Sequence, residues 1–262
     1  MTEDIDVFEV PYLEEMLQYL PIDPIDREDV NMYIQNIVQL IGVNYKYEQY
    51  QFAYFGFHLL YMSYIYCTVW KIGRINRERY QDAVLFARPY EGKSLDLFNI
   101  QSIFEYSYIP EKELPKIFKM IELDDAQVGK ICSLVNIRNE MAHASGKLGI
   151  PTDEEFASNV SSILSSVKNI HLCMNKQIRK WFSDVLINYA QGKFDDDYSD
   201  ANDIIESEMI QNGNLSRNEL LICNEMSIRE LCGGRQPDAP KFQQFKASLK
   251  SYCTSKEYIT AV

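Results

Sequence analysis

Apolar residues recur along this chain at helical spacing, and the pattern predicts helices nearly end to end. Val30, Tyr33, Ile34, Ile37, Val38 and Ile41 follow the three-four spacing of one helix face, predicting a first helix from after Asp26 to about Gly42. A second, tyrosine-rich helix is expected over about 47–75 and a short one near 77–87, broken by Pro89 and Gly92. Ser94 reads as the N-cap of a helix over roughly 94–107 that ends before Pro110, and Pro115 sits near the first turn of the next piece. Asp124 and Asp125 open a helix over about 125–145, with Gly146 where a C-terminal stop belongs. Thr152-Asp153-Glu154-Glu155 starts a long helix to about Ala190. Shorter helices are predicted near 200–211, 215–231 and 240–253. No run of strand-like alternation and no internal repeat interrupts the series. The expected class is all-α: an N-terminal arm over 1–26, a helical domain over 27–192, and an acidic linker with a C-terminal helical extension over 193–262.

Two stretches change the picture. From Phe52 to Trp70 there is no formal charge, about the length that spans a bilayer. Tyr54, His58, Tyr61, Ser63, Tyr64, Tyr66 and Thr68 spread polar groups along it, so a central buried helix of a water-facing bundle is the better reading. Tyr54, Tyr61, Tyr64 and Tyr66 are then expected to pack in the core rather than to stack bases. The acidic run Asp195-Asp196-Asp197-Tyr198-Ser199-Asp200 reads as a solvated linker.

Composition narrows the function. The formal charge of −12 argues against a protein that coats nucleic acid nonspecifically, yet leaves room for a locally basic cleft. The six cysteines have no Cys-x-x-Cys pair and no neighbouring histidine pair, so no metal site or cofactor is expected. They read as reduced thiols, and the acidic start lacks a secretory pattern; a cytoplasmic protein is expected, with no membrane partner. The densest basic stretch, Lys71, Arg74, Arg77 and Arg79, supplies candidate RNA-binding residues; the competing reading is a set of solvated cations that complement a helix C-terminus.

The helix over 125–145 carries the chemistry. With Val128 at zero and about 100° per residue, Ile131, Cys132, Leu134, Val135, Met141 and Ala142 fall in one arc, with Ile137 the exception. Arg138 lands near the centre of that arc, Asn139 inside it and His143 at its edge, while Glu140, Asn136 and Ser133 face away. A charged group on an apolar face is paired or used. The bland explanation is a structural arginine that bridges a carboxylate from a neighbouring helix. Three polar residues on one side favour a site, and a histidine in the last turn is suited to proton transfer near neutrality. His58 reads as a hydrogen-bonded core histidine in preference to a cleft residue, and His171 as a surface or interface residue.

Arg138-Asn139-x-x-x-His143, embedded in LVNIRNEMAHASGK, resembles the signature of the HEPN superfamily. The resemblance covers roughly residues 28–190 and implies an HEPN-like helical bundle, with the motif on a late helix and one more long helix behind it. It further implies a metal-independent endoribonuclease that cleaves single-stranded RNA through attack of the ribose 2′-hydroxyl on the adjacent phosphate. His143 would then move the proton, Arg138 would hold the phosphate, and Asn139 would orient either partner. One motif per chain implies a homodimer with a composite cleft. The family context suggests a toxin or an antiviral, abortive-infection effector, with a protein antitoxin or regulatory partner. In toxins of this kind that are controlled by a nucleotidyltransferase, the residue two beyond the histidine is the modified tyrosine; Ser145 stands there instead. The alternative is a non-catalytic HEPN interaction module that scaffolds a defence or signalling complex.

Overall fold

The computed structural model describes residues 9–22, 27–85, 87–142, 149–150, 152–194, 200–227 and 239–255. Among them the chain is all-α, with one isolated bridge, Pro21 to Ser216, as its only β pairing. The helices are α1 (Leu13–Leu17), α2 (Arg27–Lys46), α3 (Tyr50–Ile75), α4 (Arg77–Val84), α5 (Asp125–Ala142), α6 (Asp153–Ala190), α7 (Ala201–Ile204), α8 (Arg217–Glu225) and α9 (Ala239–Ser255). Two 3-10 helices, Ile103–Tyr108 and Leu114–Ile121, lie between α4 and α5, and α7 widens into a π-helix over Ile205–Asn212.

α3 is the central post. Eighteen of its residues between Ala53 and Ile72 are buried, which explains the long uncharged run. α2 folds back on it through a tight turn in which Glu48 takes a positive φ of 58°. Val30, Ile37, Val38 and Ile41 are the buried face of α2. α6 runs alongside α3 in the same direction: Phe57 meets Phe156, Tyr61 bonds Ser166, and Asn76 bonds Gln177 further along. At 38 residues α6 is longer than α3 and extends beyond it. Its far end carries α8 and α9, where Phe245 packs on Phe182 and Tyr189. One hydrophobic cluster therefore runs from Val10 to Tyr252, across the expected boundary at 192. No helix among the described residues is long and apolar enough to cross a membrane.

Helix starts follow their caps. The Thr152 side chain accepts the Glu155 N–H at the head of α6, and Ser216 with Glu219 forms a reciprocal capping box on α8. The expected helix over 94–107 is the main correction. Ser94 caps nothing; the helical turn begins at Ile103, with Ser102 and Glu105 as its capping box. Upstream, the Asp96 carboxylate accepts both the Phe98 N–H (3.0 Å) and the Asn99 amide (2.8 Å), a local turn that competes with helix formation. The expected stop at Gly146 and the linker over 195–199 lie outside the described residues.

Candidate functional site

α5 buries Val128, Ile131, Leu134 and Val135, and near its C-terminus it meets the first turns of α3, where Gln51 bonds the Met141 carbonyl. Two details differ from the expected face: Ile137 packs against the core, and Ala142 is exposed. Arg138 lies where the arc predicts, half-buried with its side chain 26% exposed. Asn139 is half-buried beside it. His143 and Ser145 lie outside the described residues.

The Arg138 guanidinium donates through Nη2 to Oε2 of Glu111, which belongs to the irregular segment between the two 3-10 helices. The same oxygen faces Nε2 of His58 at 3.5 Å, and His58 is buried in α3. Burial alone would raise the Glu111 pKa. The hydrogen bond from His58 and the charges of His58 and Arg138 outweigh it, and the carboxyl is held below its ordinary range. Around this trio three buried polar atoms have no hydrogen-bond partner: Nε of Arg138, Nδ1 of His58 and the hydroxyl of Tyr54. Burial pushes the Tyr54 hydroxyl up to about 12, with the Arg138 charge pulling the other way. The cluster is thus a fixed guanidinium with spare donor capacity, held by a carboxylate that a buried imidazole also contacts.

Gln51, one turn before Tyr54 on α3, contacts both flanks of the segment that contains His143. Its amide nitrogen donates to the carbonyl of Met141 (3.4 Å), and its amide oxygen accepts from the N–H of Gly149 (2.8 Å). Gly149 lies so close to Met141 that a Cβ there would sit 2.8 Å from Met141 Cγ. The two ends of the α5–α6 connection are therefore pinned together beside Arg138.

The basic stretch divides. Lys71 is a correction: it is 1% exposed and ion-paired with Glu219 of α8, so its ammonium is unavailable to a phosphate. Arg74, Arg77 and Arg79 are exposed. Arg79 donates to the carbonyl of Met120 (3.2 Å), while the Arg74 guanidinium lies over the Trp70 ring, 4.6 Å from its centre. Tyr54, Tyr61, Tyr64 and Tyr66 are buried, as expected. His171 is half-buried, with its ring edge-on to Tyr19 at 5.1 Å. Among the described residues no group of three His, Cys, Asp or Glu side chains is placed to hold a metal ion.

Glu111 and Gln51 were not legible as site residues. Each reaches the site from a distant part of the chain, 27 residues from Arg138 and 90 from Met141, and neither stands in a pattern of its own. No family model matches the chain, and no curated protein or solved structure matches it either.

Proposed function

We infer that this chain is a metal-independent endoribonuclease of the HEPN type, with Arg138, Asn139 and His143 as its reacting group. RNA enters a cleft formed by two copies of the motif in a homodimer. His143 transfers the proton of the attacking 2′-hydroxyl, and Arg138 stabilises the charge that develops on the phosphate. A toxin or an antiviral, abortive-infection effector is the role that the resemblance favours. The observation that carries the reading is the state of Arg138. A guanidinium placed on the core-facing side of α5 stays one-quarter exposed and keeps its buried Nε without a partner. A purely structural arginine is expected to have its donors satisfied.

A second reading has its own observation. Glu111 is a carboxylate from a neighbouring segment that bridges Arg138, which suits a non-catalytic HEPN module whose arginine ties α5 to the core.

The test compares wild type, His143→Ala and Arg138→Ala by growth on induction, by integrity of total RNA, and by cleavage of a single-stranded RNA in vitro with EDTA present. Growth arrest and RNA decay in wild type alone support the ribonuclease. Equal behaviour of all three proteins favours the interaction module. Cleavage that vanishes with EDTA removes the proposed mechanism, and a monomer at working concentration removes the composite cleft.

A further inference from the structure

α3 and α4 meet at Asn76, whose backbone turns sharply (φ −148°, ψ 66°). The turn puts Arg74, in the last turn of α3, and Arg77, the first residue of α4, on one cavity of about 160 Å³. Tyr80 and Leu97 form part of its wall, and Phe98, Asn99 and Gln101 line it from the segment that precedes the first 3-10 helix. Three features of this cavity point to a ligand.

The first is unspent positive charge. Neither Arg74 nor Arg77 forms an ion pair among the described residues, in a chain that carries 38 acidic side chains against 26 basic ones. The neighbouring carboxylate of Asp96 is occupied on both oxygens by its own turn. The second is placement. Arg74 lies over Trp70, its guanidinium carbon 4.6 Å from the ring centre, which holds the group at the cavity. The third is the surround. Phe98 is 44% exposed at the cavity, beside Asn99, whose amide is held by Asp96, and Gln101, whose amide donates to the Asn99 carbonyl.

We propose that this cavity binds a nucleotide unit: a phosphate held by Arg74 and Arg77, with its base against Phe98. Guanidinium pairs match phosphate oxygens in bidentate geometry, and an exposed aromatic plane accepts a base. A bare inorganic anion uses only the arginines. The nucleotide is either free or part of a single strand, since both present the same phosphate and base. The site is separate from the Arg138 cluster and does not depend on how Arg138 functions.

Calorimetric titration of the full chain, as wild type and as His143→Ala so that strand cleavage does not interfere, tests this with adenosine monophosphate, inorganic phosphate and a 5′-phosphorylated adenosine tetranucleotide. The expected result is saturable nucleotide binding in both proteins that weakens with salt and falls about tenfold or more in Arg74→Gln and in Arg77→Gln. Phe98→Ala weakens the nucleotide but not inorganic phosphate. Circular dichroism and melting of each variant verify that it is folded. Tighter binding of the tetranucleotide identifies a strand, and tighter binding of the mononucleotide identifies a free ligand. The proposal is overturned if neither nucleotide binds saturably, if inorganic phosphate binds as well as they do, or if the folded arginine variants bind like wild type.

Discussion

Glu111 places a single carboxylate oxygen between Arg138 of α5 and His58 of α3. It thereby joins the helix that carries the motif to the central helix of the bundle. Its side chain and that of Arg138 are each about one-quarter exposed, so the pair lies between a solvated ion pair and a fully buried one. Removing the carboxylate leaves a guanidinium and an imidazole facing one another across a poorly hydrated gap. Glu111→Ala is expected to lower stability by about 1–3 kcal/mol, and Glu111→Gln by less, since the amide oxygen still accepts a hydrogen bond. Urea denaturation at neutral pH measures both. The pH dependence has a definite sign. A carboxyl held below its ordinary range stabilises the fold above the unfolded pKa of about 4.3, and that stabilisation disappears as pH falls through the folded value. The gap between wild type and Glu111→Gln should therefore be full at pH 6 and close as the solution becomes more acidic than about pH 4. A gap that stays constant across this range would show that the carboxylate charge is not what joins the helices.

Lys71 and Glu219 form the second polar link, here between α3 and the C-terminal helices. Both are almost fully enclosed, and Glu219 also accepts the Ser216 N–H (2.7 Å) in the α8 capping box. Lys71→Met strands a carboxylate in the core and is expected to cost about 3–5 kcal/mol. Adding Glu219→Gln should recover a large part of that loss, because glutamine keeps the cap and brings no charge. A double-mutant cycle on thermal or urea unfolding reads the coupling. Additive losses would mean that the two groups do not sense one another.

What local pattern could and could not reveal follows from the reach of each interaction. α3 was legible from its unbroken uncharged run and α6 from its Thr152 cap, while α2 and α5 were legible because their apolar spacing repeats within a few residues. The angular position of Arg138 was legible for the same reason. Ser94 misled because the Asp96 turn intervenes, while Ser102 and Glu105, three apart, held the usable capping signal. Lys71 misled for a different reason. A lysine near the end of a helix reads as solvated and dipole-complementary, and the partner that buries it stands 148 residues away. Glu111 opened a short charged run, Glu111-Lys112-Glu113, after Pro110, and nothing in that run tied it to Arg138. Long-range pairing of single charges leaves no periodic trace.

His171 is expected to make stability pH-dependent at the other end of the bundle. Burial depresses its pKa, the nearby Glu219 charge opposes this, and Lys71 adds to it. A histidine kept neutral by its surroundings stabilises the fold above the unfolded pKa of about 6.5 and loses that contribution as pH falls below it. Wild type should weaken between pH 7 and pH 5, and His171→Phe, which retains an aromatic ring against Tyr19, should flatten that slope. Unfolding free energies at four or five pH values suffice to compare them, and parallel curves would remove His171 as the cause.

The same substitution at two glycines should act in opposite directions. On α3, a Cβ at Gly56 would lie 2.6 Å from Cγ1 of Ile41, whose side chain is fully buried in the α2–α3 contact and has no room to retreat. Alanine gains about 1 kcal/mol of helix propensity over glycine, but forcing a methyl group into a filled interface costs about 1–3 kcal/mol. Gly56→Ala is therefore expected to destabilise the protein on balance and to loosen α2 from α3. On α5, Gly129 is exposed, and an added Cβ meets nothing within 4 Å. There the propensity gain is unopposed, and Gly129→Ala should raise stability by about 0.5–1 kcal/mol. Parallel thermal melts of the two variants decide the matter. If Gly56→Ala melts at or above wild type, the close approach of α2 and α3 at Ile41 is not a packing constraint.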